Sequence, residues 1–169
     1  DAIAKLGYRP NIVARSLKTQ KTKTVGIIIP DISNQFYPEI VRGAEDVANI
    51  YDYNIMLCNT DLDKEKEIEY LKILKEKMCD GILYMSNSLE QDIIQLLNEL
   101  MLPTVLIENT DSTGRIPSVS IDNEKAAFDG VNYLINKGNK KIAYVGADKS
   151  YNSVSAARFE GYEKALKQN

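Results

Sequence analysis

The chain has 169 residues, 44% hydrophobic and 27% charged, the balance of an ordinary globular protein rather than a disordered or membrane-embedded one. Histidine is absent, which excludes imidazole metal sites, serine–histidine triads and histidine acid–base chemistry together. The net charge of −3 hides a division: residues 1–24 carry six basic side chains and one acidic, the other 145 residues 15 basic and 23 acidic.

A basic head on an acidic body suits a protein of which only the head meets a polyanion; a solvated basic linker explains the same pattern. No run approaches the roughly 18 to 20 apolar residues that span a bilayer. The opening DAIAKLGYRPN lacks the charged, apolar, small order of a secretory signal, so a cytoplasmic protein with no membrane partner is expected. Cys58 and Cys79 lie in or beside apolar segments and read as reduced, buried thiols, with a disulfide or reactive thiol as the alternative.

In chain order, residues 2–6 (AIAKL) read as the end of a helix stopped by Gly7. Tyr8-Arg9-Pro10-Asn11 is a turn, in which Pro10 holds the chain extended and Asn11 can cap the next helix. Residues 11–18 (NIVARSLK) make about two helical turns, too few to be stable without a partner. DNA qualifies as that partner. Val13 and Leu17 share a face, and Arg15 and Lys18 can reach phosphates, an apolar wedge between cations that fits minor-groove insertion. A plain amphipathic linker helix is the competing interpretation.

From Thr24 onward, apolar runs alternate with amphipathic stretches. Strands are expected at 25–29 (VGIII), 53–58 (YNIMLC), 81–85 (GILYM), 104–107 (TVLI), 118–121 and 141–145. The first helix follows Asn34 as N-cap, with Ile40, Ala44, Val47, Ala48 and Tyr51 at helical spacing. Further helices are expected over 65–78, with Ile68, Leu71, Leu74 and Met78 on one face, and over 91–101, with Ile93, Leu97 and Leu100. After a polar loop at 109–117, Asn123 opens a helix to Lys137 that Gly138 terminates, and a last helix runs over 153–167. Strand and helix alternate through short connections, so the fold class is α/β with a doubly wound, mainly parallel sheet. Ligands of such sheets bind beyond the carboxyl ends of the strands, which selects the loops after Ile29, Met85, Ile107 and Val145. Neither GxGxxG nor GxxxxGK[ST] occurs, so both common phosphate cradles are missing.

The segment YRPNIVARSLKTQKTKTVGIIIPDISNQFY closely resembles the LacI/GalR (lactose/galactose repressor) family where it joins the DNA-binding headpiece to the core. It contains a Y-x-P-N turn, a V-A-R-S-L hinge helix, a T-x-x-V-G-x-x-x-P first strand and N-x-F-Y. The resemblance continues through GILYM, PTVLIEN, VSIDN, NKGNKKIAYVG and S-A-A-R-F-E-G-Y, and so covers essentially the whole chain. It implies a periplasmic-binding-protein-like effector core preceded by a short helical DNA-binding hinge. Residues 1–23 would be the end of a helix-turn-helix headpiece plus the hinge helix. Residues 24–121 would be the N-subdomain of the core, and 122–169 the start of a C-subdomain that the chain leaves incomplete.

The resemblance also implies roles. Leu17 is similar to the family's intercalating leucine, with Val13, Ala14 and Lys18 near the groove and Asn11 and Arg15 near the helix end and backbone. Phe36, Tyr37, Ser86, Glu108, Asn152 and Arg158 match effector-facing positions. The implied partners are operator DNA, a small sugar, sugar phosphate or nucleobase held between the subdomains, and a second copy of the chain across helices 35–51 and 65–78. No cofactor and no metal are implied. The chemistry suits a polyol, since aromatic rings cover C–H faces while carboxylate, amide and guanidinium satisfy hydroxyls. Each residue also has a plainer role open to it. Phe36 and Tyr37 could be packing residues, Glu108 a solvated carboxylate, Arg158 a partner of Glu160 or Asp122, and Asp122 a hinge or cap. Two other functions compete: a periplasmic sugar-binding protein without DNA binding, against which the basic head argues, and an α/β enzyme using Glu108 or Asp122, for which no nucleophile–base pair is found.

Overall fold

The structure, a computed structural model, describes residues 21–168 apart from 87, 112 and 147–152. The expected hinge helix, with Asn11, Val13, Ala14, Arg15, Leu17 and Lys18, therefore lies outside the described residues, as does Asn152. In chain order the described elements are β1 (Thr24–Ile29), α1 (Phe36–Ile50), β2 (Asn54–Asn59), α2 (Lys64–Glu76), β3 (Gly81–Tyr84), α3 (Gln91–Leu100), β4 (Thr104–Ile107), β5 (Ser118–Val119), α4 (Asn123–Asn136) and α5 (Ser153–Gln168). The strands form one sheet in the order β2-β1-β3-β4-β5, with parallel pairing of β1 to β2, β1 to β3 and β4 to β5. This is the expected α/β, doubly wound arrangement. The described chain divides into two compact units, 21–84 with 95–104 and 85–94 with 105–168.

In the first unit β1 is flanked on both sides, Ile27 standing opposite Leu57 of β2 and Leu83 of β3. A strand covered on both faces must be apolar throughout, which is why VGIII does not alternate; Ile27, Ile28 and Ile29 are fully buried. Leu71 and Leu74 of α2 are also fully buried. Burial of one such side chain stabilises by about 1.5–3 kcal/mol. Leu74 lies directly over Gly26, where an added Cβ would stand 2.5 Å from Leu74 Cδ1. Asp63 caps α2, its carboxylate accepting from the backbone N–H of Glu65 at 2.8 Å and of Lys66 at 3.4 Å. Asp80 fixes the entry to β1, accepting from the N–H of Thr22 at 3.0 Å and of Lys23 at 3.1 Å.

The side chain of Asn34 serves α1 as expected, its Oδ1 accepting from Phe36 N, the first N–H of the helix, at 3.0 Å, while the intervening Gln35 at the N-cap position makes no side-chain cap bond. One local expectation is corrected in this unit. Met78 does not continue the apolar face of α2. The helix ends in a Schellman motif, with Met78 N donating to Lys75 O at 2.9 Å and Cys79 N to Leu74 O at 3.0 Å. The left-handed residue of that motif is Met78 itself, at φ 57°, and this swings its side chain out to 41% exposure.

Both cysteines are free and buried. Burial, and secondarily the neighbouring Cys79 thiol, pushes Cys58 up to about 11; burial also raises Cys79. At pH 8 the Cys58 thiolate is then about 100-fold scarcer than for a thiol at the ordinary value of 9.0. Iodoacetamide should alkylate Cys58 of the folded protein, followed by peptide mapping, at least that much more slowly than Cys58 of the urea-unfolded chain, with a rate rising about tenfold per pH unit from 8 to 10. Equal rates in the two states at pH 8 would exclude this account.

In the second unit, β4 and β5 pair through Leu106–Ser118 and Ile107–Val119. Asp122 caps α4, accepting from Lys125 N at 2.9 Å, the capping role that its position allowed. Gly138 ends α4 as expected. At φ 89° it supplies the left-handed step, and Gly138 N and Asn139 N donate to Ile135 O and Leu134 O. α4 and α5 pack closely at Gly161, where an added Cβ would collide with the Glu124 carbonyl oxygen and come within 3.0 Å of Phe128 N. Beside that contact the Tyr144 and Phe159 rings meet edge-on at 5.2 Å, and the Tyr162 hydroxyl donates to Ile142 O at 2.8 Å.

The strand expected at 141–145 does not form, and Val145 is 96% exposed. A strand needs a neighbour for its backbone N–H and C=O groups, and none of the described residues pairs with this segment.

Candidate functional site

In a sheet of order 2-1-3-4-5 the strand sequence reverses between β1 and β3, and the carboxyl ends flanking that reversal are where doubly wound sheets hold ligands. Phe36 and Tyr37, the expected residues after β1, form the first turn of α1 in the first unit. Their rings meet edge-on with centroids 5.3 Å apart, and Phe36 is 45% exposed, more than a packing residue would be.

The remaining described candidates all belong to the second unit. Ser86 follows β3, its hydroxyl donating to Ser88 O at 2.8 Å. Its carbonyl accepts from the side-chain amide of Asn109, which is only 3% exposed. The loop after β3 is thereby tied to the loop after β4, one residue beyond Glu108.

Glu108 ends β4 in the left-handed region, at φ 64°. A non-glycine residue held there costs of order 1–3 kcal/mol and persists only where its surroundings impose it. The imposition is visible. Glu108 N donates to Val119 O at 2.9 Å, and its carboxylate accepts from Ile121 N at 3.4 Å and from Asn123 Nδ2 at 3.3 Å. The other side of the Asn123 amide, Oδ1, accepts from Arg158 Nε at 2.8 Å. One buried amide thus joins a carboxylate at the end of β4 to a guanidinium on α5. Neither acid that could have neutralised Arg158 is its described partner.

The loop leading to this group is held by Asp111, itself buried. The Thr113 hydroxyl (2.6 Å) and N–H (2.9 Å) donate to its carboxylate, together with the N–H groups of Arg115 and Ile116. These donors hold the Asp111 carboxyl down to about 2. The carboxylate therefore stays ionised, and able to accept all of these bonds, as pH falls toward that value.

The structure therefore brings together Glu108 and Arg158, with the backbone of Ser86 tied in next to Glu108. Asn109 and Asn123 were not foreseen. The usable signal was their place, since each amide comes directly after a strand end or its exit, IEN and SIDN, where the fold gathers ligand groups. A carboxylate only accepts and a guanidinium only donates, so the pair suits a ligand carrying a hydroxyl beside a hydroxyl or phosphate oxygen. Among the described residues no three histidine, cysteine, aspartate or glutamate side chains are grouped to hold a metal ion, and no helix is long and apolar enough to cross a membrane.

Comparison with known proteins agrees with this architecture. The family model for periplasmic binding proteins and the sugar binding domain of the LacI family matches residues 22–169. The HTH-type transcriptional regulator RegA of Clostridium saccharobutylicum is 64% identical over 168 residues, which is 99% of this chain and 51% of that protein. The chain thus spans about half the length of the curated relatives it matches. The crystal structure of the transcription regulator CcpA of Lactococcus lactis superposes with a TM-score of 0.78 at 40% identity, over 86% of this chain and 53% of that one. The Cra transcriptional dual regulator of Pseudomonas putida, in complex with fructose 1-phosphate, superposes with a TM-score of 0.77 at 27% identity, over 86% and 54%. These relatives are transcriptional regulators, not enzymes. The chain belongs to the LacI family of transcriptional regulators, in the part that forms their periplasmic-binding-protein-like, sugar-binding core.

Proposed function

We propose that the whole protein is a cytoplasmic, DNA-binding repressor whose operator affinity is controlled allosterically by a small sugar-like effector. The observation that carries this reading is the Glu108–Asn123–Arg158 arrangement, an acceptor and a donor preset beside a strained strand end in a core of this family. The effector is held by Phe36, Tyr37, Ser86, Glu108, Asn152 and Arg158. Sugar phosphates head the candidates, since the Cra relative was crystallised with one. Residues 24–121 belong to the N-subdomain and 122–169 to the C-subdomain. Asn11, Val13, Ala14, Arg15, Leu17 and Lys18 meet the operator, with Leu17 as the wedge. A homodimer is supported by the exposed apolar side chains Val47, Ile50 and Tyr51, at 54%, 76% and 67%. Relatives named as transcriptional regulators favour this function over a periplasmic binding protein.

The test uses the full-length protein. Fructose 1-phosphate, D-xylulose and nucleobases are titrated in a thermal-shift assay, and operator binding is measured by fluorescence anisotropy with and without each. One of them should raise the melting temperature in a concentration-dependent way and change operator affinity by about 5-fold or more. A protein that binds operator and answers none of them is not regulated by this class of effector.

A further inference from the structure

We propose that Asn123 is the positioning residue of the effector site, holding the Glu108 carboxylate and the Arg158 guanidinium apart and in fixed orientation through one amide. The inference rests on the assignment of Glu108 and Arg158 as effector groups. It adds a residue that touches neither effector nor operator.

Asn123 is the first residue of α4 and is 7% exposed. Its Nδ2 donates to Glu108 Oε2 and to Ile121 O, both at 3.3 Å, and its Oδ1 accepts from Arg158 Nε at 2.8 Å. A side-chain amide offers donors and an acceptor on one rigid plane, so Asn123 can face a carboxylate and a guanidinium at once. The direction of the amide is also fixed: reversing it would point oxygen at oxygen and N–H at N–H.

A carboxylate and a guanidinium free to meet would form a direct pair and neutralise each other. The intervening amide prevents that. It engages Arg158 through Nε, the one described bond of that side chain, so the two Nη groups are the part of the fork turned to other use. It also helps to hold Glu108 at its left-handed φ of 64°. Asn123 is thereby placed to set both groups before the ligand arrives, the condition for binding without a large ordering cost.

The test is made on the full-length protein with fructose 1-phosphate as probe, combining calorimetry with side-chain Nε–H spectra of the arginines; Arg158→Lys assigns the Arg158 signal. In Asn123→Ala the Arg158 Nε–H signal should move and exchange with water at least about tenfold faster, and probe affinity should fall about tenfold. Asn123→Asp keeps an acceptor for Arg158 but sets two carboxylates together. Its signal should stay protected while probe affinity falls. Adding Glu108→Gln rebuilds the donor–acceptor pattern in reverse, so Asn123→Asp should cost less than about twofold in that background. An Arg158 signal unmoved by Asn123→Ala overturns the inference whether or not the probe binds. So does an Asn123→Asp penalty of the same size with Glu108 or Gln at position 108. A wild type that ignores fructose 1-phosphate counts against the sugar-phosphate effector and leaves the Arg158 signal to decide Asn123.

Discussion

Replacing Gly161 with alanine is expected to destabilise the protein by about 3 kcal/mol, the upper end of the usual cost of overpacking. For a domain of this size that corresponds to a loss of roughly 6–12 °C in melting temperature. An alanine Cβ at position 161 would run into the Glu124 carbonyl and press on Phe128 N, both backbone atoms of α4. No rotamer change relieves such a clash, so α5 must move away from α4. That would also open the Tyr144–Phe159–Tyr162 ring cluster and displace Arg158, three residues earlier on α5. Gly130 on α4 is the internal control, because an added Cβ there meets nothing within 4 Å. Gly130→Ala should be neutral or stabilise by up to about 1 kcal/mol through helix propensity alone. Thermal melts monitored by circular dichroism distinguish the two. Equal melting temperatures for the two variants would show that α4 and α5 are not in close contact.

The same glycine marks how far the sequence could be read. The alternation of apolar runs and amphipathic stretches located every described element up to Gly138 within two residues, because period and length there agree with burial. VGIII was recognisable as a strand for the same reason. What failed depended on neighbours or on backbone direction. Residues 141–145 have strand composition, but composition supplies no pairing partner. Met78 has helical spacing with Leu71 and Leu74, but the chain turns left-handed there without the glycine that would have announced it.

For the site, the residue types were legible and their connections were not. Glu108 and Arg158 are 50 positions apart, and nothing in their spacing says that one amide joins them. Sequence position suggested an acid as the partner of Arg158. Geometry gives it the amide oxygen of Asn123 and commits Asp122 to the cap of α4. Nor could residue type foretell that Glu108 is left-handed, since that conformation is imposed by bonds to Val119, Ile121 and Asn123. Polar networks are specified by three-dimensional convergence, whereas apolar faces are specified by period, and only the second is written along the chain.

Leu74→Ala is expected to cost about 3–4 kcal/mol, near the middle of the range for a fully buried leucine. Leu74 has no exposure, and its Cγ, Cδ1 and Cδ2 fill the space over Gly26 that a side chain on β1 would otherwise take. The reciprocal change, Gly26→Ala, should cost about 1–3 kcal/mol, because its Cβ would lie 2.5 and 2.7 Å from the two Leu74 methyls and the packed core gives them little room to retreat. Together the changes should partly cancel. In the double variant the new methyl occupies part of the cavity left by the leucine, and the clash disappears with the groups that caused it. The double variant should therefore be more stable than the sum of the single losses predicts, by about 1–2 kcal/mol, as measured by urea unfolding of all four proteins. Additive losses would mean that the two residues do not share a space. α2 would then be seated on β1 by Leu71 and the rest of its buried face, and glycine at position 26 would need another explanation.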